Sequence, residues 1–316
     1  MTLREVYEKA IEIGIANYPG GEKAARAKLA RARERYEALP EEQEARFDQE
    51  RLRNPFGDTR VVNLPDAEFD TALCGIDMYA PEVLFAAELR RQHPKLALIA
   101  HHAVSYGRRG LGSVEDTVWT LAVHMESFGI PKSEAEGMVW ELIGAKEAES
   151  ANRLADVGVL QMVEALTMPA ATIHGPCDVC FEAEMHRILG ECTTLGEAVA
   201  ALAAPPEMAY SGAELGEPYQ ILLGEPSAKL GPIFAPIAVG WRPSLKMVEA
   251  ALKRGARTVL VVLAPPEYVS LVKAYGANLI SVPHHMADSR GMRLLYDQIF
   301  AGQDVRIIPC SNYRHL

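Results

Sequence analysis

Short apolar runs alternate with amphipathic stretches over most of the chain, from about residue 69 to the C-terminus. An apolar run bounded by turn residues is typical of a buried strand, and its alternation with helical stretches indicates an α/β fold. The predicted strands are Ala72–Ile76, Leu96–Ala100, Ala170–Ile173, Gln220–Leu223, Thr258–Leu263, Asn278–Val282 and Val305–Ile308.

The N-terminal part of the chain has a helical pattern instead. Thr2 and Glu5 have the spacing of a capping box, which predicts a helix that continues to about Ala16. Two further polar helical stretches follow and end at the sequence NPFGD. Basic residues between Lys23 and Arg35 are spread around their helix and acidic residues follow them, so we interpret this region as a solvated or subunit-contacting surface rather than an RNA-binding one.

These patterns divide the chain into three parts. We predict a helical N-terminal extension at 1–60, a first α/β lobe at 61–205 and a second α/β lobe at 206–316. The first lobe contains a long helical insertion at about 114–166, and a segment rich in Pro, Gly and Ala marks the boundary between the lobes. The strand ends ALIAHH and NLISVPHH resemble each other, which favours two weakly related lobes.

Adjacent histidines follow both of those strands, His101 with His102 and His284 with His285. Neutral imidazole is the commonest side-chain metal ligand, and open α/β sheets bind ligands at the carboxyl ends of their strands. Consecutive residues that leave a strand can turn towards two different ions. The pairs therefore predict a dinuclear metal site; the alternative is ordinary packing, with one ring buried and the other exposed.

Two aspartates follow a histidine at a spacing of four, in His174–Asp178 and in His284–Asp288. Residues i and i+4 share one face of a helix, so His284 and Asp288 could bind one ion together where a helix starts. Carboxylates also offset the charge of the ions in a dinuclear site. For Asp288 the alternative is a helix cap.

A second constellation suggests a zinc nucleobase deaminase. His124 and Glu126, followed by the sequence PCDVC with Cys177 and Cys180, match the H-x-E and P-C-x-x-C signature in outline. The two halves lie farther apart than such enzymes usually place them, and His124 belongs to an amphipathic helical stretch in which packing explains it. We therefore rank the deaminase below the dinuclear site.

Composition limits the kinds of partner. The chain has 316 residues, of which 49% are hydrophobic and 23% charged, with a formal net charge of −10, so a nucleic-acid-binding or anionic-membrane surface is disfavoured. No apolar stretch approaches the roughly 20 residues that span a bilayer, and no signal peptide is evident. We expect a cytoplasmic protein that binds a small molecule or another protein. Five cysteines, an odd number, do not suggest a disulfide framework.

Four stretches together resemble the NIF3-like family, the NGG1-interacting-factor-3-like or dinuclear metal centre proteins. They are GIDMYAPEVL, LIAHHAVSYG, IHGPCD, and HHMADSRGMRLLYDQIF with VRIIPC, and the similarity runs in pieces from about residue 69 to 313. The resemblance implies two related α/β lobes that face a central cleft with two metal ions, in a homo-oligomer that is often a hexamer. It also implies the label of GTP cyclohydrolase 1 type 2 homologue, which does not name a substrate.

The resemblance implies ligand residues as well. The implied metal ligands are His101, His102, Asp178, His284 and Asp288, with His174 and His285 next to these ligands rather than on the ions. This chain departs from the family at three places: Pro283 replaces a glycine, Asp288 stands where many members have Glu, and Cys177 and Val179 surround Asp178 in a segment that usually lacks a thiol. Imidazole and carboxylate ligands suit two divalent ions of zinc, iron, manganese, cobalt or nickel.

Two functions follow from a dinuclear site. The first is a metal-dependent hydrolase that attacks a small nucleotide or phosphorylated substrate with a metal-bridging hydroxide. The second is a non-catalytic binding or regulatory protein that uses the same ions for recognition. The sequence names no general acid and no substrate pocket, so the choice between them stays open.

Overall fold

A computed structural model describes residues 1–45, 47–102, 119–150, 158–237 and 242–316 of the chain. Its helices are α1 (Leu3–Ala16), α2 (Gly21–Glu37), α3 (Glu41–Glu44), α4 (Ala80–Leu89), α5 (Thr120–Ser127), α6 (Lys132–Ser150), α7 (Gly158–Ala165), α8 (Gly175–Gly190), α9 (Leu195–Leu202), α10 (Pro206–Glu214), α11 (Leu245–Lys253), α12 (Pro266–Ala274) and α13 (His285–Ile299). Its strands are β1 (Arg60–Asn63), β2 (Thr71–Asp77), β3 (Leu96–His102), β4 (Ala170–Thr172), β5 (Gln220–Leu223), β6 (Ile233–Phe234), β7 (Thr258–Val262), β8 (Asn278–Val282) and β9 (Arg306–Cys310).

The chain forms two compact units, each with its own sheet, and this confirms the predicted α/β class. The first unit comprises the described residues of Met1–Thr117, Leu154–Cys180 and Met292–His315, and the second those of Val118–Arg153 and Phe181–Gly291. Both units are discontinuous in sequence, whereas the predicted lobes are continuous. The C-terminal segment joins the first unit because β9 pairs with β2.

The sheet of the first unit has the strand order β1-β4-β3-β2-β9. Strands β4, β3, β2 and β9 run parallel, and β1 is an antiparallel edge strand beside β4. Strands β2 and β3 are buried along almost their whole length, as expected for parallel strands covered on both faces. The parallel arrangement brings the carboxyl ends of β2, β3 and β4 to one edge of this sheet.

Helix α1 packs into the core of the first unit. Its capping box at Thr2 and Glu5 is formed, and the helix ends at Ala16, as the sequence predicts. Its side chains Leu3, Val6 and Ala10 are fully buried in the apolar cluster that covers one face of the sheet. The N-terminal segment is therefore a structural part of the unit, although the following helix α2 is polar and mostly exposed.

The sheet of the second unit has the strand order β5-β8-β7-β6. Strands β8, β7 and β6 are parallel, and β5 is an antiparallel edge strand beside β8. Helices α5, α6, α11 and α12 contribute to one apolar cluster of this unit, and α9 and α10 contribute to the other.

All seven predicted strands are present, with ends that differ by up to two residues. The edge strands β1 and β6 are not predicted from the sequence, because β1 has few apolar residues and β6 spans only Ile233–Phe234. The predicted helical insertion contains α5, α6 and α7; its parts at 114–118 and 151–157 lie outside the described residues. Among the described helices, none combines the length and apolar character needed to cross a bilayer.

Candidate metal centre

Three histidines meet at the carboxyl edge of the first unit's sheet. His101 and His102 are the last two residues of β3, and His174 follows β4 and immediately precedes α8. The centroids of the His101 and His102 rings lie 4.7 Å apart, and the His174 ring lies 4.7 Å from that of His101 and 5.0 Å from that of His102. The ligand atoms that the three rings offer lie within 4.8 Å of one another.

The Nδ1 atom of each ring is bound by a separate oxygen acceptor. His101 Nδ1 donates to the Ile173 carbonyl at 3.3 Å, and His102 Nδ1 donates to Asp77 Oδ1 at 3.0 Å. His174 Nδ1 donates to Asp58 Oδ2 in a short hydrogen bond. These contacts fix the orientation of each imidazole and direct its Nε2 atom elsewhere, which is the usual outer-shell arrangement of metal-binding histidines.

The Asp178 carboxylate faces the Nε2 atoms of two of these rings. Its Oδ1 lies 3.3 Å from His101 Nε2, and its Oδ2 lies 3.2 Å from His174 Nε2. Asp178 is in the first turn of α8, where the helix dipole favours a negative charge, and His174 is the residue whose carbonyl accepts from the Asp178 backbone N–H. The end of β3 and the turn from β4 to α8 thus bring together two imidazoles and one carboxylate that the sequence singles out.

The loop that carries Asp58 is fixed by close packing. The Phe56 ring lies against Gly14 on α1 and Gly175 at the start of α8; a Cβ added at Gly175 would come within 2.6 Å of it. The Thr172 hydroxyl donates to the Asp58 carbonyl at 2.7 Å. Because a side chain at either glycine would overlap the ring, these glycines allow the loop to approach α8 and to place Asp58 beside His174.

Burial and neighbouring charges give the two inner imidazoles opposite protonation properties. Complete burial lowers the pKa of His101 to about 4, against a smaller opposing effect of Asp178. Burial also opposes the charge on His174, but Asp58 and Asp178 outweigh it and hold the pKa of His174 well above its usual value. Burial would raise the pKa of Asp58 and of Asp178, yet the neighbouring histidines lower both. At neutral pH this gives a neutral His101 and a charged His174 between two carboxylates.

The other predicted ligands lie in the second unit and form a pair of their own. His284 Nε2 is 3.6 Å from Asp288 Oδ2, and the His284 and His285 ring centroids are 5.3 Å apart. Asp288 is in the first turn of α13, after the capping position, so it is not the helix cap that the sequence offered as an alternative.

The structure also changes the internal repeat suggested by the two histidine pairs. Strand β8 lies beside the antiparallel edge strand β5, as β4 lies beside β1, and the register shifts in both antiparallel pairs. The equivalent of β8 with His284 and Asp288 is therefore β4 with His174 and Asp178, not β3. The two histidine pairs suggest that β3 and β8 are equivalent strands, but these strands have different places in their sheets.

Two carboxylates of the site, Asp58 and Asp77, are not predicted from the sequence; each accepts a hydrogen bond from the Nδ1 atom of a histidine. Asp77 is the last residue of β2 and is paired in register with His102, so a correct strand order could have identified it. Asp58 lies 116 positions from His174 in a segment interpreted only as a helix breaker, and no local pattern connects the two.

The cysteines of the proposed deaminase signature belong to the core. Cys177 and Cys180 are buried in the apolar cluster of the first unit, and burial raises the pKa of the Cys180 thiol to about 12. His124 binds Glu182 rather than Glu126. Among the described residues, none of the groups that could hold a metal contains a cysteine, which argues against a deaminase. All five cysteines are free thiols.

Comparison with solved structures identifies the fold. A NIF3 superfamily protein from Sphaerobacter thermophilus is similar over 81% of this chain and 91% of its own, with 23% identity and a TM-score of 0.66. Reduced HcgD from Methanocaldococcus jannaschii matches over 79% and 87%, with 10% identity and a TM-score of 0.46. A Bacillus cereus protein related to NIF3 matches over 80% and 89%, with 9% identity and a TM-score of 0.42.

No family model matches the chain, and no protein with a curated description does. The similarity to the Sphaerobacter protein shows that the chain has the fold of the NIF3 superfamily, which confirms the NIF3-like fold expected from the four sequence stretches.

Proposed function

We propose that the chain is a metal-dependent hydrolase whose metal centre includes His101, His102, His174 and Asp178, and that it acts on a small nucleotide or phosphorylated substrate. One observation supports this most: the Nε2 atoms of His101 and His174 both face the Asp178 carboxylate while their Nδ1 atoms are bound by other groups. The acidic chain, with a net charge of −10, favours a small substrate over a nucleic acid.

The donor set fits divalent ions of the borderline transition metals, which bind imidazole and carboxylate together. When His101 is neutral, its Nδ1–H donates to the Ile173 carbonyl, and the lone pair on Nε2 faces Asp178 Oδ1 at 3.3 Å. On His174, a cation could take the place of the Nε2 proton that faces Asp178 Oδ2. The same three side chains could thus exchange a proton for a metal without a change of orientation.

Two divalent ions, when bound, would polarise a substrate oxygen and lower the pKa of a water molecule for attack. The protein's own contribution is the orientation of the ligands. Asp58 and Asp77 keep the Nδ1 protons of His174 and His102 in place, and Asp178 supplies negative charge next to two imidazoles. Complete burial of His101 keeps water from competing for its nitrogen atoms.

We retain His284 and Asp288 as proposed ligands and His285 as a neighbouring residue that does not bind the ions. Their support is the resemblance to the NIF3-like family and the repetition of the His-x-x-x-Asp spacing after β8. Metal analysis of a His284→Ala/Asp288→Ala double variant tests them. The count of two ions and a homo-oligomer such as a hexamer are proposals of the same standing, tested by elemental analysis and by light scattering.

Turnover tests the catalytic part of the proposal. The metal-loaded wild type and an Asp178→Asn variant would be incubated with a panel of nucleotides, phosphate esters and cyclic amides, with zinc, iron, manganese, cobalt and nickel in turn. We expect a substrate that only the loaded wild type hydrolyses. If the wild type holds metal but the whole panel stays intact, the non-catalytic binding function replaces the hydrolase.

A further inference from the structure

A second group of possible metal ligands lies within the second unit. It consists of His124 on α5 together with Glu182 and His186, which are one turn apart on α8. His124 Nε2 is 2.9 Å from Glu182 Oε1, and the His124 and His186 rings are nearly parallel with centroids 5.9 Å apart. The ligand atoms of the three side chains lie within 4.8 Å of one another.

Glu182 is a buried carboxylate that is held in place. Only 2% of the residue is exposed, and its Oε2 accepts the Ile237 backbone N–H at 2.7 Å. Burial of a carboxylate is costly unless hydrogen bonds or positive charge compensate it. One oxygen therefore faces the backbone while the other faces His124, so the side chain has a fixed direction towards the histidines.

His186 presents a nitrogen atom to the same place. Its Nε2 atom is buried and has no hydrogen-bond partner among the residues that the structure describes. A buried imidazole nitrogen without a hydrogen-bond partner, in a ring whose ligand atom lies within 4.8 Å of those of His124 and Glu182, has a place for a metal ion.

We propose that His124, Glu182 and His186 form a separate binding site for a divalent transition-metal ion, with zinc and cobalt as the best-suited candidates. Two imidazoles and one carboxylate are a known ligand set for zinc sites that keep a fourth position for water or substrate. The site uses none of His101, His102, His174 or Asp178, so it does not rest on the hydrolase proposed above. A metal-free cluster in which Glu182 only satisfies His124 is the competing explanation.

Cobalt titration of the full-length protein separates the two explanations. The chelator-stripped wild type, His186→Gln and His124→Gln would be titrated with Co²⁺, with bound metal counted and visible ligand-field bands recorded. Gln is close in size to His and remains polar. The two variants change different helices, so the test remains possible if one variant does not fold. Glu126→Gln is the matched control, because Glu126 is an exposed carboxylate on the same helix as His124.

We expect the wild type to bind about one Co²⁺ more than either histidine variant, since one three-ligand site holds one ion. Glu126→Gln should bind as much as the wild type. Asp178→Asn, which changes the first unit's cluster, should retain this ion and its spectrum. Equal cobalt binding by the wild type and a folded His186→Gln or His124→Gln variant would overturn the proposal. In that case a loss of cobalt from Asp178→Asn would still support the metal centre of the first unit.

Discussion

Two strand-to-helix turns, β4–α8 in the first unit and β8–α13 in the second, have the same His-x-x-x-Asp spacing but different surroundings. The His174 side chain is 12% exposed and Asp58 binds its Nδ1 atom, whereas that of His284 is 40% exposed. The His174 Nε2–Asp178 distance is 3.2 Å, and the equivalent distance from His284 to Asp288 is 3.6 Å. The His-x-x-x-Asp motif thus sets the spacing of the two side chains. In the first unit, the loop that carries Asp58 also fixes the orientation of the more buried histidine, His174.

The largest difference between the turns should appear when their aspartates are changed. Asp178→Asn removes the charge that faces two imidazoles, so we expect metal affinity in the first unit to fall by more than about a hundredfold, beyond the range typical of outer-shell changes. Asp288→Asn, which changes a carboxylate near one more exposed imidazole, should cost less. Calorimetric titration with zinc measures both, and an equal or greater loss in Asp288→Asn would contradict the ranking.

The role of the distant segment can be tested at Asp58. Asp58→Asn keeps the size of the side chain but weakens its hydrogen bond to His174, and we expect metal affinity to fall by about 10- to 100-fold. Asp66→Asn is the control, because Asp66 is an exposed partner of Arg4 away from the histidines. Unchanged zinc affinity in Asp58→Asn would mean that the hydrogen bond from His174 to Asp58 does not contribute to metal binding.

Close packing around Phe56 can be tested with two glycines of α8. Gly175→Ala would place a methyl group against the Phe56 ring, and overpacking of this kind costs about 1–3 kcal/mol of folding free energy. Gly190→Ala has no neighbouring atom within 4 Å and should be neutral or slightly stabilising. Urea unfolding measures both variants. Equal stability of the two would show that the Phe56 ring moves aside without cost.

The smallest effect concerns the pH dependence of the metal-free protein. Because the folded-state pKa of His101 is about 4 and its ordinary value is 6.5, the unfolded chain takes up this proton first as the pH falls through 6.5. His101 therefore lowers stability on acidification, by about 1 kcal/mol between pH 7 and 5.5. The raised pKa of His174 has the opposite sign, since its contribution is present below its ordinary pKa and is lost only as the pH rises through the folded value.

A His101→Gln variant separates the contribution of His101 from that of His174. In chelator-treated samples, the free energy of unfolding of the wild type should fall more steeply between pH 7 and 5.5 than that of His101→Gln. Urea unfolding at several pH values provides the comparison. Parallel pH profiles would mean that His101 does not resist protonation in the folded chain.

Local sequence information is sufficient for the elements. The capping box of α1 and the seven strands depend on neighbouring residues and are predicted correctly. For the site, neighbouring residues give the His174–Asp178 spacing, and the structure brings these two side chains together after β4. The burial of α1 was not predicted, because the position of Leu3 and Val6 against the sheet depends on tertiary packing.

The site residues that cannot be predicted from the sequence depend on strand order and on loop packing. Asp77 reaches His102 only because β2 and β3 are neighbours in register, and Asp58 reaches His174 only because Phe56 packs against two glycines. A second histidine group at His124 and His186 was likewise unpredictable, since these residues are 62 positions apart and meet through the packing of α5 and α8.

Anomalous X-ray diffraction from crystals saturated with zinc tests the proposed centre most directly. We predict an anomalous peak at bonding distance, about 2.0–2.2 Å, from the Nε2 atoms of His101 and His174 and from a carboxylate oxygen of Asp178. The peak should be absent in Asp178→Asn crystals treated in the same way. A wild-type map with no peak there, and with Asp178 at the same distances from both imidazoles as in the metal-free protein, would contradict a metal centre in the first unit.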